Sequence, residues 1–249
     1  MNILFTICGR AGSKGIKNKN IRNFLDKPLV YFTVSTIDLF LSNHSEIAYD
    51  IVLNTDSLEL QSLIERNNMR NVLCLQRKKE LAGDNVGKVD VIRNCLKECE
   101  SQKNSYDFVI DLDITSPLRG VNDLQKVYDE IKTAKYDVVF TVAEARRNPY
   151  FNMVKQNEKG FYERVINSNY SARQQAPVIY DMNASIYAYK TDFLRKNNNI
   201  FAGKCGIVKM KDTGILDLDH ENDFELMEAL AQYFVRNDEA FNEVYSNIV

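Results

Sequence analysis

A glycine-rich, cationic loop is the part of this sequence whose residue types best fit a chemical task. Residues 9–20 (Gly-Arg-Ala-Gly-Ser-Lys-Gly-Ile-Lys-Asn-Lys-Asn) combine three glycines with Arg10, Lys14, Lys17 and Lys19. Glycines let backbone N–H groups approach a phosphate closely, and cations offset the charge of a polyphosphate. The loop therefore predicts phosphate binding, although a basic, solvated surface loop would have a similar composition.

The two common phosphate-binding motifs do not describe this loop. A Walker loop has four residues between its first glycine and a Gly-Lys pair, and Ser or Thr follows the Lys. The segment Gly12-Ser13-Lys14-Gly15 does not match this pattern. The dinucleotide-binding pattern Gly-x-Gly-x-x-Gly is also absent from the loop. Any phosphate site here must belong to another class.

The elements that would position the loop alternate between strands and helices. Buried strands are predicted at Asn2–Cys8 and at residues 50–54, 72–75, 108–113, 138–142 and 183–190. Helices are predicted from apolar stripes at Val30/Val34/Ile37/Leu41, Leu60/Leu63/Ile64, Val89/Ile92/Leu96/Cys99, Leu124/Val127/Ile131/Ala134 and Phe224/Met227/Leu230/Ala231/Phe234. Asn122, with Gln125 three residues later, is predicted to cap the fourth helix.

This alternation predicts an α/β fold: a single Rossmann-like, three-layer domain with a mostly parallel sheet covered on both faces. In such sheets ligands bind beyond the carboxyl ends of the strands, which is where residues 9–20 lie. Between about residue 145 and residue 180 the pattern changes to short extended segments separated by turns such as residues 157–160. We interpret residues 1–249 as one domain with a β-rich inserted arm at about residues 145–180, and a dimer interface is the role considered for this arm.

Composition excludes several classes of function. The formal net charge is −2, from 32 basic and 34 acidic side chains among 249 residues. Nucleic-acid grooves and polybasic membrane surfaces need a basic excess, so neither partner is expected. No apolar run approaches the length of a membrane span, and five cysteines without paired spacing suggest reduced thiols in the cytoplasm. Cys95 and Cys99 share a helix face, but no second pair completes a metal site.

Four further blocks follow the loop in order. They are residues 77–84 (Arg-Lys-Lys-Glu-Leu-Ala-Gly-Asp), 115–119 (Thr-Ser-Pro-Leu-Arg), 173–177 (Arg-Gln-Gln-Ala-Pro), and Asp217-Leu218-Asp219 with Asp223-Phe224. Together with the loop, the blocks resemble the acylneuraminate cytidylyltransferase family. The chain differs from the usual family pattern at Gly9 (commonly Ala), Ala11 (commonly Gly) and Lys78 (commonly Pro).

The resemblance implies a nucleotide-diphospho-sugar transferase fold, CTP and an acidic sugar as substrates, and a homodimer that exchanges its arm. It assigns Arg10, Lys14 and Lys19 to the CTP phosphates and Asn20 to the α-phosphate or the leaving group. Residues lining the nucleotide would be Ala11, Gly12 and Ser13 in the loop, with Arg77 and Asn85 recognising cytosine. Asp217 and Asp219 would hold Mg²⁺, because hard carboxylate oxygens suit that ion. Without the other blocks, a polar turn with Asp as helix cap would be the favoured explanation of the pair.

The acceptor sugar is indicated by Asp113, which stands where members that activate sialic acid typically carry Gln. An ionised aspartate only accepts hydrogen bonds, whereas glutamine also donates. With residues 145–152 and 180–187, this variant resembles bacterial enzymes for legionaminic acid and related 5,7-diamino nonulosonates. Arg173 or the Arg146–Arg147 pair would bind the sugar carboxylate, and Gln174 and Asn183 would also contact substrate.

Several alternatives stay open at this point. Arg146 and Arg147 also fit a solvated turn, and Asp113 also fits a metal ligand. The acceptor could instead be N-acetylneuraminate or an eight-carbon acid, and a non-catalytic nucleotide-binding protein would carry many of the same blocks. A sugar-1-phosphate nucleotidylyltransferase is disfavoured because its Gly-Thr-Arg-Leu and Pro-Lys blocks are absent. The general base is unassigned, and His44 and His220 are interpreted as bystanders.

Overall fold

The computed structural model describes residues 1–12, 15–83, 85–102, 104–211, 213 and 217–248. The strands are β1 (Asn2–Cys8), β2 (Asn23–Phe24), β3 (Lys27–Pro28), β4 (Ala48–Thr55), β5 (Leu73–Gln76), β6 (Phe108–Leu112), β7 (Val138–Glu144), β8 (Val154–Gln156), β9 (Tyr162–Arg164), β10 (Tyr180–Lys190) and β11 (Cys205–Lys209). Seven of them form the central sheet in the order β11-β7-β10-β6-β1-β4-β5.

The central sheet is mostly parallel, which confirms the prediction. β1 pairs in parallel with β4 and β6, β4 with β5, and β7 with β11. Only β10 runs antiparallel to both of its neighbours, β6 and β7. The carboxyl ends of β1, β4, β5 and β6 consequently lie side by side at one edge of the sheet, and the loops that follow them can share one site.

Helices cover both faces of the sheet, so the three-layer α/β fold is confirmed. They are α1 (Leu29–Ser42), α2 (Leu58–Glu65), α3 (Lys88–Ser101), α4 (Val121–Lys132), α5 (Thr191–Lys196), α6 (Glu221–Asn237) and α7 (Glu239–Ser246). Alternate residues of β1 point to opposite faces: Ile3, Phe5 and Ile7 belong to one buried cluster and Leu4 to the other. None of the helices among the described residues has the length and apolar character that crossing a membrane requires.

The fourth predicted helix differs from the structure at both ends. The fourth helix begins after Gly120 rather than at Asn122, because the Asp123 carboxylate accepts a hydrogen bond from the Gly120 N–H at 3.0 Å and caps the first turn from inside. It ends at Lys132, so Ala134 lies outside it in a left-handed conformation with φ of 59°. The predicted last helix corresponds to α6, but a further helix, α7, follows it.

The arm between β7 and β10 contains a small hairpin formed by β8 and β9. Its turn is organised by Asn157, whose side-chain oxygen accepts hydrogen bonds from the Lys159 and Phe161 N–H groups, and Gly160 takes up a φ of 82°. The turn predicted at residues 157–160 is therefore present.

A buried arginine ties the loop after β6 to two other elements. The Arg119 side chain is 1% exposed and donates to the main-chain oxygens of Asp113 (2.6 Å) and Ser185 (3.1 Å) and to the Thr33 hydroxyl (2.5 Å). Burial lowers the pKa of Arg119 to about 10, against the opposing effect of Asp113, Asp111 and Asp123. The guanidinium thus joins the end of β6 to α1 and β10.

Replacing Arg119 by leucine should lower the free energy of unfolding by about 3–5 kcal/mol, because buried oxygens would lose their donor and Asp113 its neighbouring cation. Urea denaturation followed by circular dichroism measures the change. The matched control is Arg195→Leu, which removes exposed ion pairs with Glu100 and Asp192 and should cost less than about 1 kcal/mol. Equal, small effects in both variants would contradict the anchoring role.

Candidate active site

A cavity of about 390 Å³ lies at the carboxyl edge of the sheet. Its lining includes six of the residues predicted from the sequence: Arg10, Lys19, Asn20, Arg77, Asp113 and Asp219. The structure therefore brings the cationic loop, the 77–84 block, the end of β6 and the acidic motif to one place, although they are separated by up to about two hundred residues.

The cationic loop and the acidic motif are in direct contact. The Lys19 ammonium donates to the main-chain oxygen of Leu218 and lies 3.5 Å from Asp219 Oδ1. A Cβ built at Gly15 would lie 1.8 Å from the main-chain oxygen of Asp219, so only glycine fits at position 15. The Asn20 side-chain amide donates to the Arg10 main-chain oxygen at 3.1 Å, which braces the start of the loop.

The remaining loop residues show how the chain leaves β1. The Ala11 N–H donates to the Asp56 carboxylate at 2.6 Å, and Gly12 has a φ of 72°. Ser13 and Lys14, predicted to contact the nucleotide, lie outside the described residues. A Cβ at Gly9 would come within 2.7 Å of the Leu60 side chain and 2.8 Å of the Ile114 side chain, so a larger residue here would require the ends of those side chains to shift.

Arg77 also lines this cavity. It is buried, and its guanidinium donates from Nε to the Asn54 side-chain oxygen (2.8 Å) and from a terminal nitrogen to the Asn54 main-chain oxygen (3.1 Å). Asn54 lies near the carboxyl end of β4, so the strand fixes the arginine. Asn85 is exposed, in a turn between the cavity-lining residues Gly83 and Val86.

The sequence reasoning missed Lys88, which also lines the cavity. Its ammonium lies 2.8 Å from Asp111 Oδ2 and 2.5 Å from Asp113 Oδ2. Burial would lower the pKa of Lys88, but the two carboxylates outweigh it and hold the pKa well above its usual value. Lys88 is the first residue of α3, where the helix dipole disfavours a cation. A lysine at this position was therefore the one signal in the sequence that acidic partners lie near the start of α3.

Asp113 is held by its neighbours. Its Oδ1 accepts hydrogen bonds from the Thr115 N–H (3.1 Å) and hydroxyl (2.9 Å), and its Oδ2 faces Lys88. Burial alone would raise the pKa of Asp113, but Lys88 and the Thr115 donors lower it to about 2. The carboxylate is therefore ionised at neutral pH.

The two aspartates of the acidic motif differ in exposure. Asp219 is exposed and lines the cavity, whereas Asp217 is partly buried, and its Oδ1 accepts from the Leu218 N–H at 2.8 Å. The pKa of Asp217 is raised by burial and by Asp113, with Thr115 and Lys19 opposing. Within the described part of the chain, no group of three or more His, Cys, Asp or Glu residues is arranged to hold a metal. One or two carboxylates nevertheless suffice for Mg²⁺ when substrate phosphates supply other ligands, so the donor set fits that ion.

A second cavity contains the arginine side chains that were predicted to bind the sugar carboxylate. Arg146, Arg147 and Arg173 line it with Lys209, and the Arg173 guanidinium donates to the Ala145 main-chain oxygen at 3.1 Å. Gln174, next to Arg173, is exposed. The described lining of the first cavity does not include these residues, so a single chain does not bring the two sets together.

Asn183 has a buried position of its own. It lies in the irregular part of β10, where its side-chain oxygen accepts from the Thr141 hydroxyl at 2.6 Å and its amide faces the Met210 sulfur. It belongs to neither described cavity lining. Its predicted contact with substrate, like those of Arg173 and Gln174, stays a prediction.

Comparison with known proteins agrees with this geometry. Post-translational flagellin modification protein B of Campylobacter coli is 36% identical over 229 residues, which cover 92% of this chain and 94% of that protein. CMP-N,N'-diacetyllegionaminic acid synthase of Campylobacter jejuni is 36% identical over 230 residues, with the same coverage. A solved CMP:2-keto-3-deoxy-manno-octonic acid synthetase shares the fold, with a TM-score of 0.65 at 14% identity over 94% of this chain and 99% of that one. A family model described as cytidylyltransferase matches residues 4–241, and the chain belongs to that family.

Proposed function

We propose that this enzyme transfers CMP from CTP to the anomeric hydroxyl of a nine-carbon 2-keto sugar acid, legionaminate or a related 5,7-diamino nonulosonate, and releases pyrophosphate. The observation that carries the proposal is the convergence of Arg10, Lys19 and Arg77 with Asp113 and Asp219 around one cavity. The choice of sugar is supported by the 36% identity to a CMP-N,N'-diacetyllegionaminic acid synthase over most of both chains.

The nucleotide would lie along the cationic wall of the cavity. Arg10 and Lys19 offset the negative charge of the triphosphate, and Lys14 is expected to do the same from the part of the loop outside the described residues. Arg77, held against Asn54, would contact cytosine with the exposed turn that contains Asn85. Because Arg77 is fixed before substrate arrives, little conformational entropy is lost when the base binds.

The reaction would be an in-line displacement at the α-phosphorus. The anomeric oxygen of the sugar forms a bond to that phosphorus, the bond to the β-phosphate bridging oxygen breaks, and pyrophosphate leaves with the bonding electrons. The hydroxyl proton passes to a base that is not assigned. Arg10, Lys19 and Asn20 hold the reacting groups in line, and this positioning supplies much of the catalysis in phosphoryl transfer.

Asp217 and Asp219 are the residues that would hold Mg²⁺. When bound, the ion supplies charge neutralisation at the phosphate oxygens. The contact of Lys19 with Leu218, between the two aspartates, keeps the acidic motif beside the cationic loop. Lys19 and the carboxylates of Asp217 and Asp219 would therefore act on the same phosphates.

The arm is proposed to form a homodimer in which each chain reaches across to its partner. Val154, Phe161 and Tyr162 on the β8–β9 hairpin expose 63%, 69% and 72% of their surface. Such a cluster of exposed apolar side chains is typical of an interaction surface. An exchanged arm would also carry the second cavity, with Arg173, toward the substrate site of the partner. The expected compartment is the cytoplasm.

The first test is the product. Incubation of the enzyme with CTP, Mg²⁺ and a panel of acidic sugars should release pyrophosphate, with 5,7-diacetamido nonulosonates preferred, and mass spectrometry should detect the CMP-sugar. A clear preference for N-acetylneuraminate would refute the choice of sugar. Tight CTP binding without pyrophosphate release for any acidic sugar would refute the enzymatic function.

Asp217→Ala and Asp219→Ala should each lower kcat at least about a hundredfold, because both carboxylates are proposed to hold the ion at the reacting phosphates. Steady-state rates over a range of Mg²⁺ concentrations measure the loss. Asp129→Ala, which removes an exposed carboxylate of α4, is the control and should keep the normal rate. Near-normal rates in both motif variants would disprove the metal assignment.

Light scattering should report a dimer at micromolar concentration, and the double variant Phe161→Asp/Tyr162→Asp should shift it to monomer, since charges would face an apolar partner surface. Tyr233→Asp on α6 alters a similarly exposed aromatic outside the arm and should leave the dimer intact. A monomeric unmodified protein would count against the exchanged arm.

A further inference from the structure

Lys88 is held in place by a buried carboxylate that has no access to solvent. The Asp111 side chain is 0% exposed, and its Oδ1 accepts a hydrogen bond from the Thr6 hydroxyl at 2.7 Å. Its other oxygen lies 2.8 Å from the Lys88 ammonium. Because both β1 and β6 fix Asp111, the ammonium has a fixed position at the cavity wall, where 32% of its side chain stays exposed.

The fixed ammonium in turn determines what Asp113 can bind. An ionised carboxylate offers about four acceptor positions and no donor. Two positions on Oδ1 are used by the Thr115 N–H and hydroxyl, and one on Oδ2 is used by Lys88. One acceptor position on Oδ2 is left, on a side chain that lines the cavity. Only a hydrogen-bond donor can occupy it.

We propose that Lys88 is a positioning residue for sugar specificity: it keeps Asp113 as an oriented, acceptor-only group. An oriented acceptor favours the amide N–H that a 5,7-diacetamido nonulosonate presents at C7, whose direction is fixed, over the freely rotating C7 hydroxyl of N-acetylneuraminate. This inference rests on the proposed function. An uncharged amide at position 113 could turn to donate or accept, and would also admit sugars that present a carbonyl oxygen. The counter-charge of Lys88 is what allows a carboxylate here, since an unpaired one would repel the phosphates of CTP.

The test compares two sugars with the same enzyme variants. The measured quantity is the ratio of kcat/KM for a 5,7-diacetamido nonulosonate to kcat/KM for N-acetylneuraminate. Lys88→Gln should lower this ratio about tenfold, the usual effect of losing one oriented hydrogen bond to a charged group, while KM for CTP changes less than about threefold. Lys88→Arg keeps the charge beside Asp113 and should keep the ratio within about threefold of the original.

Lys190→Gln is the matched control. Lys190 is 28% exposed, donates to the Ala134 main-chain oxygen and faces the Asp137 carboxylate, but it lies at the opposite edge of the sheet. Its loss should affect stability without moving the ratio. If Lys88→Gln fails to fold, Asp113→Asn provides the same test, because it leaves Lys88 paired with Asp111 and should lower the ratio similarly.

The outcomes separate the inference from the function on which it rests. An unchanged ratio in folded Lys88→Gln or Asp113→Asn overturns the inference while the transferase function stands. A raised KM for CTP with an unchanged ratio also overturns it, and places Lys88 against the nucleotide. If the unmodified enzyme uses neither sugar, the proposed function is wrong and the inference is wrong with it.

Discussion

The site depends on the pairing of buried charges at the end of the central strand. Asp111 and Asp113, two residues apart on β6 and its following loop, are balanced by Lys88 from α3 on one side and have buried Arg119 nearby. Unpaired, each of these groups would cost several kcal/mol in the protein interior. Because these charges neutralise one another, several charged side chains can lie at the end of one strand. Their contacts also link α1, α3, β6 and β10 around the cavity.

This charge network extends to the acidic motif through Thr115. Thr115 donates twice to Asp113, and its main-chain oxygen accepts from the Leu218 N–H at 3.3 Å. Leu218 lies between the two aspartates proposed to hold Mg²⁺, and its own main-chain oxygen accepts from Lys19. The specificity side of the cavity and the phosphate side are therefore connected through a few short, directional contacts rather than through apolar packing alone.

Much of the architecture could be predicted from the sequence because it depends on local patterns. The apolar run Asn2–Cys8 is a strand with the predicted bounds, and helical stripes such as Val30/Val34/Ile37/Leu41 lie within the helices. The convergence of the loop after β1 with the blocks after β5 and β6 also followed from parallel strand order, since the carboxyl ends of such strands share an edge. The start of α4 was misjudged because Asp123 caps it from inside the first turn, a choice that propensity alone does not reveal.

The position of Lys88 at a helix start indicates an acidic partner, but its partners Asp111 and Asp113 could not be identified from the sequence. The pairing depends on how α3 packs against β6, about twenty-five residues away in sequence. Arg173 was expected to bind the sugar carboxylate, and within the single chain it lines a separate cavity with Arg146 and Arg147. Its contact with substrate depends on the proposed dimer and stays a prediction. Local patterns locate functional residues on strands and loops, but they do not report which side chains meet across layers or between subunits.

The tight packing around Gly9 has a consequence for how this loop evolves. The Leu60 and Ile114 side chains occupy the space that a methyl group at position 9 would need. An alanine at this position would require the ends of these two side chains, on α2 and after β6, to shift. A phosphate loop transplanted from a relative that carries a larger residue here would therefore require adjustment of side chains that are distant in sequence.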